Sequence, residues 1–152
     1  DFNYKQALTF LPHWARGVKV FANASTLRAM GAASANFSGF LPFSGNWGVS
    51  LSRPAYSFRV NWNYTGRQRR TRIADGRSIE SGTYVWGSKR LLVDVNAEYL
   101  FSKQFAVYPN LSNILDTPAD IEIAGPSTPA HSQFRQRTQF GAQWTFGLKG
   151  SF

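Results

Sequence analysis

The chain has 152 residues, about the length of one domain, with no cysteine, 17 Lys plus Arg against 8 Asp plus Glu, and 16% aromatic residues. The absence of cysteine excludes a disulfide framework, and the absence of an apolar run near eighteen residues excludes a membrane-spanning helix. Strands that alternate apolar and polar residues remain open, because their average hydropathy is modest.

Alternation of apolar and polar residues predicts seven β-strands, since successive side chains of a strand point to opposite faces. The predicted strands cover residues 2–10, 18–29, 47–52, 58–65, 91–101, 105–115 and 134–152. The last one has the clearest pattern, with Phe140, Trp144 and Phe146 on one face and polar residues on the other. Pro109 cannot donate a backbone hydrogen bond, so it predicts a bulge or an unpaired position in the sixth strand.

The connections between these strands alternate in length. Residues 11–17, 53–56 and 102–104 are predicted to be short turns, and residues 31–43, 66–83 and 116–133 long loops. Outer-membrane barrels have short periplasmic turns and long extracellular loops. The predicted fold class is therefore all-β: an antiparallel transmembrane β-barrel segment of about seven meandering strands, with its C-terminus on the periplasmic side. A soluble barrel of the lipocalin type, with its apolar residues inside, is the alternative.

Aromatic residues are expected to lie at both edges of the membrane-facing surface, as they do in membrane barrels. The predicted girdle residues are Trp14, Tyr56 and Phe101 near the short turns and Trp47, Tyr64 and Trp86 near the long loops.

Basic residues concentrate beside the long loops, and a net charge of +9 favours an anionic partner. The candidate ligand-attracting residues are Arg67, Arg69, Arg70, Arg72, Arg135 and Arg137. Cations around a lumen attract an anionic ligand by focusing the electrostatic field. The alternative is that they bind lipopolysaccharide phosphates or pair with loop carboxylates. No nucleic-acid partner is expected, because the aromatic residues follow the strand period and do not interleave with the basic ones.

No catalytic site, metal site or cofactor is expected. His13 and His131, the only two histidines, lie in connections at opposite ends of the predicted strands, which excludes a His-based triad or a multi-His site. Asp116, Asp120 and Glu122 in the last loop have oxygen ligands suited to Ca²⁺, and a solvated acidic loop is the alternative.

Several segments resemble the C-terminal end of TonB-dependent outer-membrane receptors. Residues 91–102 (LLVDVNAEYLFS) resemble the penultimate hairpin of that family. Residues 110–116 (NLSNILD) resemble its N-L-x-N-L-x-D/N segment, and residues 140–152 resemble its closing strand. Upstream, residues 43–70 resemble the preceding hairpin, so the resemblance extends over nearly the whole chain.

The resemblance implies a receptor for energy-coupled uptake of a scarce nutrient, such as a siderophore, a cobalamin-like molecule or an oligosaccharide, in the outer membrane of a Gram-negative-type bacterium. Residues 1–152 would be the C-terminal part of a plugged barrel of about 22 strands, without the plug domain and the N-terminal strands. The implied partners are the lipid bilayer, lipopolysaccharide, the barrel-assembly machinery, a small-molecule ligand and a TonB-type energy-coupling complex that acts through the N-terminal region. Family barrels end in an assembly signal, which Thr145, Gly147 and Phe152 match, whereas Gly150 replaces a usual apolar residue.

Two other functions are compatible with the sequence. One is a small porin-like or structural outer-membrane barrel, and the other is a soluble basic binding domain. A start at Asp1, without a signal peptide or an initiator Met, suggests a piece of a longer precursor.

Overall fold

The computed structural model describes residues 1–28, 30 and 39–150, and of Trp14 only the backbone. The described chain is all-β and antiparallel, as predicted, but it contains 11 strands and not seven. They are β1 (Phe2–Ala7), β2 (Val18–Thr26), β3 (Phe43–Ser52), β4 (Tyr56–Thr65), β5 (Gln68–Arg72), β6 (Tyr84–Gly87), β7 (Arg90–Leu100), β8 (Phe105–Ser112), β9 (Ala119–Ala124), β10 (Phe134–Thr138) and β11 (Gln143–Gly150). Two single-turn 3-10 helices cover His13–Ala15 and Ala130–Ser132. None of the described helices has the length and apolar character needed to cross a membrane.

Seven of the strands form the main sheet, in the order β1-β2-β3-β4-β7-β8-β11. All neighbours in this sheet are antiparallel, and each strand overlaps one of the seven predicted strands. Within the described residues the main sheet stays open, with β1 and β11 as its two edges. The third strand begins at Phe43, earlier than predicted, and the predicted end of the second strand at residue 29 lies outside the described residues.

The other four strands form the second sheet, in the order β10-β9-β6-β5. β5 and β9 occupy segments that were predicted to be long loops, β10 occupies the start of the predicted last strand, and β6 lies between the second predicted long loop and the predicted fifth strand. The pairing of Thr65 with Arg90 in the main sheet and of Gln68 with Gly87 in the second follows one register, with no residue inserted between them. The second sheet therefore prolongs the hairpins of the main sheet beyond the end opposite the short turns.

The predicted last strand, residues 134–152, is interrupted between β10 and β11. Gly141 in this break has φ 75, a conformation that favours glycine, and its carbonyl accepts a hydrogen bond from Asn113 Nδ2 at 3.2 Å. The register between β10 and β9 also shifts between Phe134 and Gln136, which places Arg135 in a bulge. One predicted strand is thus two, and each belongs to a different sheet.

The register of the main sheet brings the apolar residues of all seven strands to one side, which we call the apolar face. One row across the sheet pairs Ala22 with Trp47, Trp47 with Trp62, and Trp62 with Val93. At the far edge, Leu111 pairs with Trp144. The apolar side chains predicted from the alternation therefore form rows across the strands as well as along them.

The apolar face is exposed within the described chain. Ala15, Val93, Ala106 and Ala124 are the only buried hydrophobic residues among those described, and no described side chain is fully buried. The principal contacts between strands are those between hydrogen-bonded neighbours, so the two sheets lie end to end and are not stacked. Large exposed apolar residues of this face include Phe2, Trp47, Phe58, Trp144, Phe146 and Leu148.

The opposite side of the main sheet, the polar face, carries two aromatic residues that break the alternation. Phe21 lies over Gly48 of β3, where an added Cβ would be 2.6 Å from its ring. Tyr108 lies in the same way over Gly147 of β11, where an added Cβ would overlap its ring. Each ring packs on bare backbone of the neighbouring strand, a pairing known as aromatic rescue of a glycine.

Pro109 produces the unpaired position that was predicted for it. The ladder between β7 and β8 is interrupted opposite Pro109 and resumes with Tyr99 paired to Val107 in the same register. On its other side, Pro109 lies opposite Phe146 of β11. No bulge forms here, because the residue count is equal on both strands of the interruption.

Candidate functional site

Asparagine side chains form a row across the polar face. The register aligns Asn3, Asn23, Asn46 and Asn63 on four neighbouring strands. Asn46 Nδ2 donates a hydrogen bond to Asn63 Oδ1, and Asn63 Nδ2 donates to Asp94 Oδ2 at 3.2 Å. The row is therefore a partly connected polar network, and sequence analysis missed it because its members come from separate strands.

Asp94 extends this network into the connection after β8. Its other oxygen, Oδ1, accepts a hydrogen bond from the Asn113 backbone N–H at 2.9 Å. Asn113 has φ 51, and its side chain accepts from the Thr117 N–H at 2.9 Å. These contacts hold a residue in a conformation that only a few non-glycine residues adopt. Asn113 belongs to the NLSNILD segment that resembles the receptor family, and here it anchors the turn between the two sheets.

A cavity of about 590 Å³ lies on the polar face toward the short-turn end. Its lining includes Arg59, Glu98, Tyr108 and Lys149. Lys149 Nζ lies 2.5 Å from Glu98 Oε2 and 5.2 Å from the Tyr108 ring centroid. Arg59 has no ion pair within the described residues, so the cavity keeps an unneutralised cation.

Because the register is unbroken from β4 and β7 into β5 and β6, the second sheet has two sides that continue the two faces of the main sheet. The inner side continues the polar face, and the outer side continues the apolar face. Arg67 and Trp86 lie on the inner side. The Arg67 guanidinium is 4.5 Å from the Trp86 ring centroid, 2.8 Å from Glu122 Oε2 and 3.1 Å from Gln133 Oε1. These contacts join β6, β9 and the connection before β10 around one arginine.

Two further arginines of the inner side have partners in the second sheet. Arg69 lies 4.9 Å from the Tyr84 ring centroid. Arg137 donates two hydrogen bonds of 2.8 Å to Asp120, one to each carboxylate oxygen. These bonds lower the pKa of the Asp120 carboxyl and raise the pKa of Arg137. A bidentate pair of this kind fixes orientation as well as charge.

The structure therefore divides the six candidate ligand-attracting arginines. Arg67, Arg72 and Arg137 are ion-paired, with Arg72 Nη2 at 3.0 Å from Asp75 Oδ2. Arg69, Arg70 and Arg135 have no ion pair within the described residues. The sequence could not identify the partners of Arg67 and Arg137, because Glu122 and Asp120 are distant from them in the chain and close only through the fold. Asp75, by contrast, is three residues from Arg72.

Arg70 points away from the other arginines of its strand. The register of β5 with β6 shifts between Arg69 and Arg72, so one extra residue lies in a bulge there. Arg70 lies on the outer side, where its Nε and an Nη atom come within 3.1 Å of the position that a Cβ at Gly87 would take. Bulges re-aim side chains in this way.

The acidic residues of the last predicted loop are engaged by neighbouring side chains. Asp120 binds Arg137, Glu122 binds Arg67, and Asp116 accepts a hydrogen bond from Gln139. No group of three or more acidic, histidine or cysteine residues that would suit a metal ion occurs in the described part of the chain. Asp120 and Glu122 serve as counter-ions within the second sheet.

Tyr56, Phe101 and Tyr64 lie at the ends of the apolar face, at the levels predicted for the girdle. Tyr56 pairs with Tyr99 at the short-turn end, where Phe101 stacks on Phe105 with ring centroids 6.1 Å apart. At the other end the Tyr64 ring is 5.7 Å from that of Phe43.

The other three girdle candidates have different outcomes. Trp47 lies in the middle of β3, because the strand continues to Phe43, which takes the edge position. Trp86 lies on the inner side of the second sheet, beneath Arg67, and not on the apolar face. The Trp14 side chain lies outside the described atoms.

The residues that match the assembly signal have a structural setting in β11. Thr145 pairs with Asn110 on the polar face, and Gly147 lies beneath Tyr108. Phe152 lies outside the described residues. His13 and His131 lie in the two 3-10 helices, in connections at opposite ends of the main sheet.

In comparisons with known proteins, no family model, no curated protein sequence and no solved structure matches the chain. The two faces of the main sheet and the two sides of the second sheet are therefore the basis for inferring a function.

Proposed function

We propose that the chain is part of the wall of an outer-membrane transport receptor, with the apolar face toward lipid and the polar face toward a water-filled interior. The resemblance of residues 91–152 to the end of TonB-dependent receptors supports energy-coupled uptake as the task of the whole receptor. The proposal accounts for a sheet that is one layer thick and amphipathic across every strand.

One observation carries this proposal: the apolar face continues across all seven strands and is exposed. Phe146 is 70% exposed, Trp144 65% and Phe58 44%. A soluble sandwich or lipocalin-type barrel buries its apolar residues between layers or inside the ring. Here the large side chains point away from the polar face and meet no second layer within the described residues.

The magnitude of this exposure supports surroundings other than water for the apolar face. Removing one fully exposed large apolar side chain from water contributes about 1.5–3 kcal/mol, so about a dozen that are roughly half exposed contribute on the order of 10–20 kcal/mol. Native domains are stable by only about 5–15 kcal/mol. A sheet that leaves such a face in water gives up a free energy comparable to the whole stability of a typical fold.

The height of the apolar face matches a bilayer. The outward-facing residues of β4 run from Tyr56 to Tyr64, which is roughly 26 Å along a strand at about 3.3 Å per residue. A tilt near 40° reduces this to roughly 20 Å, and aromatic rings extend it at each end, close to the band of about 25 Å in membrane barrels. Tyrosines at both ends of β4 are suited to the two interfaces.

The polar face and the inner side of the second sheet support a role in ligand attraction. The cavity near Arg59 and the guanidinium of Arg69, which stacks on Tyr84 and has no ion pair within the described residues, leave positive charge facing the proposed interior. Uncompensated cations in a concave surface raise the local concentration of anions. We therefore propose an anionic nutrient or nutrient complex as the ligand, in contact with Arg69 and its neighbours.

The proposed function also implies partners. The bilayer and lipopolysaccharide would contact the apolar face, the assembly machinery would act on β11 through Thr145 and Gly147, and the energy-coupling complex would act through a plug. The unpaired edges of β1 and β11 are suited to further strands of the wall, since an edge in lipid leaves backbone groups unsatisfied.

The test is the dependence of folding on detergent. The chain is refolded with and without detergent micelles, and β-sheet circular dichroism and sedimentation are recorded for both samples. Sheet formation that requires micelles, with aggregation in their absence, is the expected result. A soluble monomer with full β-sheet signal in plain buffer would sink the membrane proposal and favour the soluble basic binding domain.

A further inference from the structure

Two cations lie on the outer side at the junction of the two sheets, just beyond the end of the apolar face: Arg70 in β5, and Lys89 between β6 and β7. Lys89 is two residues before Leu91, which pairs with Tyr64 on the apolar face. At about 3.3 Å per strand residue, Lys89 lies roughly 7 Å past that pair. Since the register is unbroken there, Lys89 stands on the same side as Leu91.

Arg70 reaches toward the same place from the neighbouring strand. Its guanidinium lies over Gly87, within 3.1 Å of where a Cβ would be, and Gly87 precedes Lys89 by two residues on the same side. The glycine leaves room for the guanidinium to lie flat against the sheet, and the bulge at Arg70 turns the side chain outward. The two cations thus approach one another at the boundary between the sheets.

Neither cation has a counter-ion in the described chain. The carboxylates of the second sheet, Asp120 and Glu122, lie on the inner side and bind Arg137 and Arg67. The outer-side positions of β5, β6, β9 and β10 carry no Asp or Glu. The charges on the inner side of the second sheet are thus largely neutralised within the protein. The cations on the outer side are available to an external anion.

We propose that Arg70 and Lys89 bind the phosphate groups of an anionic membrane lipid; this rests on the proposed function, which puts the apolar face in the bilayer. Lipid phosphates lie immediately outside the hydrocarbon, at the level of Lys89. A guanidinium binds phosphate through two parallel N–H donors, and an ammonium adds a mobile point charge. The pair would fix the depth of the sheet in the outer surface of the membrane.

The experiment measures how strongly the whole chain prefers anionic to neutral vesicles. Unmodified chain, Arg70→Gln, Lys89→Gln and the double variant are mixed with vesicles of phosphatidylcholine alone or with added phosphatidylglycerol, and bound protein is separated by flotation. A cation at an anionic surface contributes about a fivefold change in binding, so each single variant is expected to lose about fivefold of the preference. The double variant is expected to lose nearly all of it.

Two controls keep the result specific. Arg77→Gln removes the same charge from the exposed connection after β5 and is expected to retain the preference. Arg70→Lys keeps the charge and is expected to retain most of it, which separates loss of a site from loss of folding. An equal loss in Arg77→Gln and Arg70→Gln would overturn the site, because it would indicate net charge alone.

The lipid as the source of the phosphate is tested by competition. Inorganic phosphate, added at constant ionic strength, is expected to leave the vesicle preference unchanged; full displacement would overturn the lipid assignment in favour of a free-phosphate site. Circular dichroism in neutral vesicles tests the proposed function separately. If the unmodified chain forms no sheet there, the membrane wall itself is refuted, whatever Arg70 and Lys89 bind.

Discussion

The main sheet and the second sheet share the same hairpins and are stabilised by different interactions. In the main sheet, the row of Trp47, Trp62 and Val93 presents apolar surface to the surroundings. In the second sheet, two residues beyond the end of β4, Arg67 stacks on Trp86 and pairs with a carboxylate. One register therefore passes from a region that exposes apolar side chains to one held by ion pairs and cation–π contacts.

The difference coincides with the break between the two sheets. The ladder is interrupted at residues 66–67 and 88–89 and resumes in the same register, while the side chains change from apolar and amide to arginine, carboxylate and aromatic. Ion pairs and cation–π contacts function at a wet surface, where each contributes about 1 kcal/mol or less. The two sheets are therefore expected to depend on their surroundings in opposite ways.

The largest effect is expected from a charge in the middle of the apolar face. Val60 pairs with Val49 and Val95 at mid-sheet, and Val60→Arg is expected to reduce the free energy of unfolding from bilayers by about 2–4 kcal/mol. The reason is that a guanidinium at the bilayer midplane loses its hydration. The measurement is urea unfolding in phosphatidylcholine vesicles, followed by circular dichroism.

Its matched control is the next residue along the same strand. Asn61 lies on the polar face and pairs with Gly48 and Asp94, so Asn61→Arg is expected to change stability by less than about 0.5 kcal/mol. If the two substitutions had equal effects, the apolar and polar faces of the main sheet would not differ in their surroundings. The contrast between the main sheet and the second sheet would then be lost.

A second prediction concerns packing within the main sheet that is independent of lipid. Gly147→Ala places a Cβ against the Tyr108 ring and is expected to cost about 1–3 kcal/mol, the usual range for overpacking. Gly45→Ala is the control, because its nearest neighbour, a ring atom of Trp47, would be at an ordinary 3.6 Å. Addition of Tyr108→Ala is expected to relieve most of the cost of Gly147→Ala; an additive double variant would contradict the ring-over-glycine arrangement.

A third prediction isolates the second sheet. Arg67→Ala removes the stack on Trp86 and the ion pair with Glu122, and is expected to reduce local stability by about 1–2 kcal/mol. Hydrogen exchange followed by mass spectrometry is expected to show faster exchange in β6 and β9 and unchanged exchange in β2 and β3. Faster exchange throughout both sheets would show that the two regions unfold as one unit.

Sequence analysis could predict the main sheet because the signal is local. Each of its strands places apolar residues at every second position, so Phe58, Val60 and Trp62 already indicate a face without knowledge of their neighbours. The rule failed at Phe21 and Tyr108, where the reason is a glycine on another strand. No pattern within one strand reveals that partner.

The second sheet was not predicted as a sheet, because neither of its sides carries only apolar or only polar residues. Its inner side combines Arg69, Trp86 and Glu122 in one row, so the period of two is present but unmarked by hydropathy. Only β9 carried a usable signal, since Ile121 and Ile123 alternate with acidic residues. Bulges at Arg70 and Arg135 further disturb the period of two. Most of the carboxylates that neutralise arginines are brought near them only by the fold.

The smallest expected effect is a pH response of the connections that join the strands of the second sheet. Glu80 accepts hydrogen bonds from the hydroxyl and the backbone N–H of Ser127, and these lower its pKa below the ordinary value of 4.5. Because the pKa is depressed in the folded chain, the carboxylate stabilises this contact fully above pH 4.5, and the stabilisation is lost as the pH falls through the lowered pKa. The Ser127 amide proton is expected to shift with a midpoint below that value in NMR spectra recorded in micelles, and Glu80→Gln is expected to abolish the shift. A midpoint at or above 4.5 would mean that the contact is absent in solution, and the second sheet would then lack one of the polar contacts that distinguish it from the main sheet.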